Sequence, residues 1–187
     1  RSTHSPTLFP YTTLFRSRAT KRVDALQAER KEYVAELQLG ATTPSGDMEH
    51  PIDHTYPTEH ITREMVEEAL QSLTGEREQL PPLYSAKKVQ GVRAYEFARE
   101  GVEVELKRAL INIYSMELVE YDLPRIKIRV ECSKGTYIRS LAFEIGEALN
   151  SGAYLSSLRR TRSGEFCVEN AHSLDDFMEK LKECETK

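Results

Sequence analysis

The chain has 187 residues, 39% of them hydrophobic and 30% charged, with a formal net charge of −4 and three cysteines. That composition suits one globular domain with a real core, and no apolar run approaches the roughly 20 residues of a membrane span. Cys132, Cys167 and Cys184 form no CxxC pair and are odd in number, which points to reduced thiols in a cytoplasmic protein rather than a disulfide framework or a zinc site.

In chain order, residues 1–17 lack usable periodicity and carry the near-repeat Pro-Thr-Leu-Phe and Thr-Thr-Leu-Phe, so they read as a foreign or disordered tail ahead of one domain over 18–187. Tyr33, Ala35, Leu37 and Leu39 alternate with Val34, Glu36 and Gln38, the pattern of a half-buried strand. Residues 40–53 form a polar loop. Thr62 then caps a helix whose Val66, Ala69, Leu70 and Leu73 share one face, and Gly75 marks its stop. Leu80-Pro-Pro82 is an extended breaker. Two strands follow, Leu110 to Tyr121 and Arg125 to Glu131, and Gly135 suits a positive φ in the tight turn Ser133 to Thr136. A helix starting near Ser140 buries Leu141, Ile145, Ala148 and Leu149, and Gly164 to Val168 is a short strand. Ser173 and Asp176 make a capping box for a last helix with Leu174, Phe177, Met178 and Leu181 inward. Strands and helices mix without regular βαβ alternation, so the fold class is α+β, with a mixed, largely antiparallel sheet and flanking helices.

The acidic balance is unevenly spread. From Glu49 to Gln79 there are eight acidic and two basic residues; from Tyr84 to Arg108 four and six; from Lys134 to Arg162 two and five. Segregation of this kind permits a basic face on an acidic protein, as a phosphate backbone requires. By itself the signal is weak, since solvated charge faces are commoner than nucleic-acid sites.

Four stretches carry a family resemblance: Lys31-Glu-Tyr33-Val-Ala-Glu-Leu-Gln-Leu-Gly40; Pro81-Pro-Leu-Tyr84-Ser-Ala-Lys87-Lys88 with Gly91, Tyr95, Arg99 and Gly101 beyond it; Cys132-Ser-Lys134-Gly-Thr-Tyr137-Ile-Arg139-Ser-Leu141; and Gly152-Ala-Tyr-Leu-Ser-Ser-Leu158-Arg159-Arg160-Thr161. In this order they resemble the signature blocks of TruB-type tRNA pseudouridine synthases, over roughly residues 18 to 180. The resemblance implies isomerisation of the T-loop uridine of tRNA, position 55, to pseudouridine, by a monomer that binds the tRNA T-arm and needs no cofactor, metal or membrane. It also implies a nucleophilic aspartate on a Gly-Gly-Thr-Leu-Asp-Pro loop. These 187 residues contain no such loop, and Asp24, in Arg22-Val-Asp-Ala-Leu26, lacks the flanking glycines. The N-terminal part of the catalytic domain is therefore expected to be missing, no C-terminal PUA domain is expected, and the chain alone is expected to be inactive.

By the same resemblance Tyr33 and Tyr137 contact the flipped uracil, Arg139 pairs with the catalytic aspartate, and Leu158 lines the base pocket. Read without it, Tyr33 is an ordinary strand aromatic, Tyr137 packs beside a turn, and Leu158 is a good core leucine. An inward guanidinium needs a carboxylate partner, so Arg139 is expected to be stranded here. Lys87, Lys88, Arg93, Lys134, Arg159 and Arg160 are the candidate phosphate contacts. Two other readings remain: a non-catalytic RNA-binding stub of the same fold, and an acidic protein-interaction domain with no RNA role.

Overall fold

Alternation along Lys31–Leu39 decides which face of strand β1 turns inward: Ala35, Leu37 and Leu39 are buried and Tyr33 is half-buried. The computed structural model describes residues 30–89, 91–102 and 104–185, the side chains of 180, 181 and 183–185 excepted. The tail 1–17, Asp24 and the side chains of Leu181 and Cys184 lie outside the described residues.

On one side β1 pairs with β8 (Arg125–Cys132), which sets Tyr33, Ala35 and Leu37 opposite Val130, Ile128 and Ile126. On the other it pairs with β9 (Ala153–Ser163). β10 (Phe166–Cys167) extends β9, while β7 (Ala109–Asp122) and then β4 (Gly75–Gln79) extend β8. The result is a six-stranded sheet of order β10-β9-β1-β8-β7-β4, every pair antiparallel. Two two-residue ribbons lie outside it: β2 (Ala41–Thr42) with β3 (His54–Thr55), and β5 (Lys88–Val89) with β6 (Val92–Arg93). This is the α+β architecture expected.

Two helices supply the other half of the core. Helix α1 (Arg63–Ser72) begins where Thr62 accepts the Met65 amide at 3.3 Å and buries Val66, Ala69 and Leu70. After the short helix α2 (Ala94–Arg99), helix α3 (Ile138–Ala148) buries Ile138, Leu141, Ala142 and Ile145 against the sheet. It starts two residues earlier than the sequence suggests. Its approach to β9 passes through Gly146, where a Cβ would lie 2.5 Å from the Ala153 amide nitrogen. The opposite sheet face carries charge neutralised by charge: Lys127 bridges Glu36 at 3.1 Å and Glu120 at 2.9 Å, and Arg162 meets Glu131 at 2.9 Å.

Other readings need correction. β9 is a strand where the sequence suggested only a motif, and β4 is a strand where it suggested only the stop of the preceding helix at Gly75. The loop after β1 is partly ordered by β2 and β3, and it buries Thr42, Thr43 and Ser45. Helix α4 (Leu174–Glu185) has the expected capping box, Asp176 N–H to Ser173 Oγ at 3.1 Å, but its apolar stripe is not inward. Leu174, Phe177 and Met178 are exposed by 76%, 49% and 48%. The core face is already covered by α1 and α3, and none of the described side chains of α4 belongs to that core. No helix among the described residues is long and apolar enough to cross a membrane.

Candidate active site

The site grows from the start of α3. Residues 133–136 turn tightly, with Gly135 at φ +86°, and the turn is tied to β7 by the Ser133 amide on the Asn112 carbonyl and the Asn112 amide on Ser133 Oγ, at 2.8 and 2.9 Å. Tyr137 follows as the N-cap of α3, and Arg139 projects from the first turn.

Arg139 is not stranded. One of its terminal nitrogens donates to Asp47 Oδ2 at 3.0 Å and to the Ser45 carbonyl at 3.3 Å; the other donates to the Tyr84 carbonyl at 2.8 Å. Three segments, the loop after β2, the extended stretch after β4, and α3, thus meet on one guanidinium. Asp47 is itself held, with its Oδ1 accepting the Ser45 hydroxyl at 2.7 Å and the Glu49 amide at 3.0 Å. Burial opposes its ionisation, but these two hydrogen bonds and the charge of Arg139 outweigh it, so Asp47 titrates below the ordinary carboxylate range.

Beside Arg139 opens a cleft of about 440 Å³ lined by Tyr84, Tyr95, Tyr137, Arg99, Arg139 and Glu49, among others. His50 packs on the Tyr84 ring at 4.5 Å between centroids, and Arg99 lies 4.0 Å from Glu49. The Ser85 hydroxyl in the same wall is buried without a hydrogen-bond partner among the described residues. Aromatic faces alternating with guanidinium groups suit an unstacked base and its phosphates.

Tyr33 and Leu158 do not line that cleft. They lie across the β1–β9 ladder, Leu158 opposite Ala35 and Arg160 opposite Tyr33. Burial and the neighbouring Cys132 raise the Tyr33 phenol, while a hydrogen bond from Arg160 and its charge pull it back. Leu158 is 45% exposed, so it is not a core leucine among the described residues. The basic candidates separate. Lys87, Lys88 and Arg93 sit on the lobe that forms the cleft wall, and Lys87 Nζ donates to the Lys107 carbonyl at 2.8 Å. Lys134 is exposed on the turn before Tyr137. Arg159 and Arg160 alternate on β9, so they point to opposite faces.

Asp47 and Gln79 were not found from sequence, nor were Glu49 and His50 beside them. Gln79 is buried, and its amide pairs with both backbone groups of Tyr137. Pro44-Ser-Gly-Asp47 reads as a turn and nothing more, and nothing in it indicates that an arginine 92 residues on will close against it. Gln79, ending a strand of charged residues, gives only a weak signal.

Two family models cover most of the chain: the TruB family pseudouridylate synthase N-terminal domain over residues 13–138, and the tRNA pseudouridylate synthase B C-terminal domain over residues 139–187. A protein of Phocaeicola vulgatus named tRNA pseudouridine synthase B is 56% identical over 186 residues, spanning 97% of this chain and 79% of its own length. The protein of the same name from Flavobacterium johnsoniae is 44% identical, spanning 96% and 80%. A solved Cbf5-Nop10-Gar1 complex contains a chain that is 30% identical with a TM-score of 0.62; the match covers 86% of this chain and 39% of that one. An H/ACA RNP bound to a substrate RNA containing 2'-deoxyuridine gives 27% and 0.58.

Proposed function

From the premise that the chain belongs to the TruB family of pseudouridylate synthases, we propose that its scaffold serves the isomerisation of the T-loop uridine of tRNA, position 55, to pseudouridine. Relatives named tRNA pseudouridine synthase B support tRNA as the substrate. The observation that carries the reading is the posture of Arg139. Its contacts with described residues use three of the five N–H groups a guanidinium offers. The remainder suit a second carboxylate at the mouth of the cleft, where the family places its nucleophile. That nucleophile is absent from these 187 residues, so the chain alone acts as a binding scaffold without turnover. It works in the cytoplasm as a monomer, with no cofactor or metal.

The isomerisation exchanges the N1 glycosidic bond of uracil for a C5 bond, so a proton leaves C5 and another reaches N1. Tyr137 offers a stacking face at the cleft. Tyr33 lies outside that cleft on the neighbouring β1–β9 ladder, next to Arg160; the family resemblance assigns it a second face for the base and a hydroxyl that hydrogen-bonds or moves a proton. Arg139 orients the attacking carboxylate, and pre-aligned charge of this kind contributes only when rigidly held. Leu158, on the same ladder opposite Ala35, is given the apolar edge of the base by the resemblance alone. Lys87, Lys88, Arg93 and Lys134, beside the cleft, meet the phosphates; Arg159 and Arg160 point to opposite faces of β9 and cannot both join them.

The test is affinity for a synthetic T-arm hairpin at several salt concentrations. Binding should weaken steeply with salt, and reversing Lys87 and Lys88 to Glu should flatten that dependence by about one to two phosphate contacts. Affinity indifferent to both salt and reversal would remove the RNA reading and favour a protein-interaction domain.

A further inference from the structure

We propose that Gln79 is a positioning residue of this site, fixing the backbone of Tyr137 and, through it, the direction of Arg139. Gln79 ends β4 at the sheet edge, after Glu76, Arg77 and Glu78, yet it is only 1% exposed. Its Oε1 accepts the Tyr137 amide at 2.8 Å, and its Nε2 donates to the Tyr137 carbonyl at 3.2 Å. One side-chain amide thereby completes both backbone groups of one residue, as a strand partner would. The Tyr137 carbonyl also accepts the Leu141 amide at 3.1 Å as the first bond of α3, while its amide has Gln79 as its partner among the described residues; Tyr137 itself makes no side-chain cap. The chain beyond Gln79 continues the grip. The Leu80 carbonyl accepts Ser140 Oγ at 2.8 Å, and the Tyr84 carbonyl accepts Arg139. Residues 79–84 run alongside 137–140 and hold them at three points.

Stability alone does not ask for this residue. Burying an amide costs desolvation and rotamer freedom that its hydrogen bonds only roughly offset, whereas an apolar side chain would gain by burial. What the amide supplies is one fixed orientation of the residue between the turn and α3, two positions before Arg139. The functional side of this inference rests on the tRNA reading above; its structural side does not.

The experiment uses Gln79→Met and Gln79→Glu in the 187-residue chain, with four readouts: hydrogen exchange of the Tyr137 amide, side-chain NMR titration of Asp47, melting temperature, and T-arm hairpin affinity. Gln79→Met removes donor and acceptor at similar volume. It should speed Tyr137 exchange and weaken the hairpin by about tenfold each, the worth of one to two lost hydrogen bonds. It should also move the Asp47 midpoint upward, because a loosened Arg139 no longer faces that carboxylate squarely. Gln79→Glu keeps the acceptor and should restore most of the Tyr137 protection. A lower melting temperature with Tyr137 exchange and the Asp47 midpoint unchanged would overturn the inference and leave Gln79 a plain stabiliser. So would a Gln79→Glu chain as unprotected at Tyr137 as Gln79→Met. If the wild-type chain itself ignores the hairpin while the two NMR readouts shift as described, the tRNA reading fails and the positioning role stands.

Discussion

Replacing Asp47 by Asn isolates one arm of the site. The asparagine carbonyl still serves the Ser45 hydroxyl and the Glu49 amide, which both reach Oδ1. What changes is Oδ2, 3.0 Å from Arg139, where an NH2 group would face a guanidinium donor. Hydrogen bonds to charged groups contribute roughly 1.5–3 kcal/mol. Both side chains retain about a quarter of their exposure, at 22% and 26%, so water takes up part of the loss. The expected cost is about 2 kcal/mol at pH 7, or roughly 4–8 °C in melting temperature for a chain of this size. The pH dependence has a definite sign. The folded carboxyl of Asp47 titrates below its unfolded value of about 3.9. Its contribution is therefore complete above that pH and is lost as pH falls through the lower folded value. Melts of wild type and Asp47→Asn should differ at pH 5 to 7 and converge in stronger acid. A difference that persists unchanged at pH 2.5, or none at pH 7, would refute the ion-pair argument.

Other expectations concern the scaffold. Gly146→Ala pushes a methyl into the Ala153 backbone, and since backbone cannot yield as a flexible side chain does, urea melts should show a loss of about 1–3 kcal/mol. Leu37→Ala empties a fully buried position in the central strand and should cost about 2–5 kcal/mol by the same measurement. Ser173→Ala removes the cap of α4, worth about 1 kcal/mol to the helix. Because none of the described side chains of α4 belongs to the core, the effect should appear as faster amide exchange within α4, with little change in the global melt.

The legible parts of the fold are those with an unbroken period. Tyr33 to Leu39 alternates cleanly because β1 is central and half its side chains face the core. β9 escaped notice for a physical reason. Its ladder with β1 carries register shifts, so Leu155 and Leu158, three apart, meet Leu37 and Ala35, two apart, and no period of two survives. β4 escaped because an edge strand of Gly, Glu, Arg, Glu and Gln buries one residue only, and that residue is polar. The stripe on α4 misled in the opposite direction: periodicity states that a face is apolar, not what covers it. At the site, Tyr137 and Arg139 were visible through their motif. Asp47 was not, since its role arises from a contact 92 residues away, and the expected stranding of Arg139 gave way to that contact.

Pseudouridine formation on a T-arm hairpin tests the central claim most directly. The 187-residue chain should form none, because its sequence contains no Gly-Gly-Thr-Leu-Asp-Pro loop to supply the nucleophile. The same chain joined to a family-type segment bearing the Gly-Gly-Thr-Leu-Asp-Pro loop should turn over. In that protein Arg139→Ala should slow the reaction by about 10²–10³-fold or more. Turnover by the unmodified chain would contradict the account, and would require another carboxylate, Asp24 or Asp47, to do what we assign to the absent one.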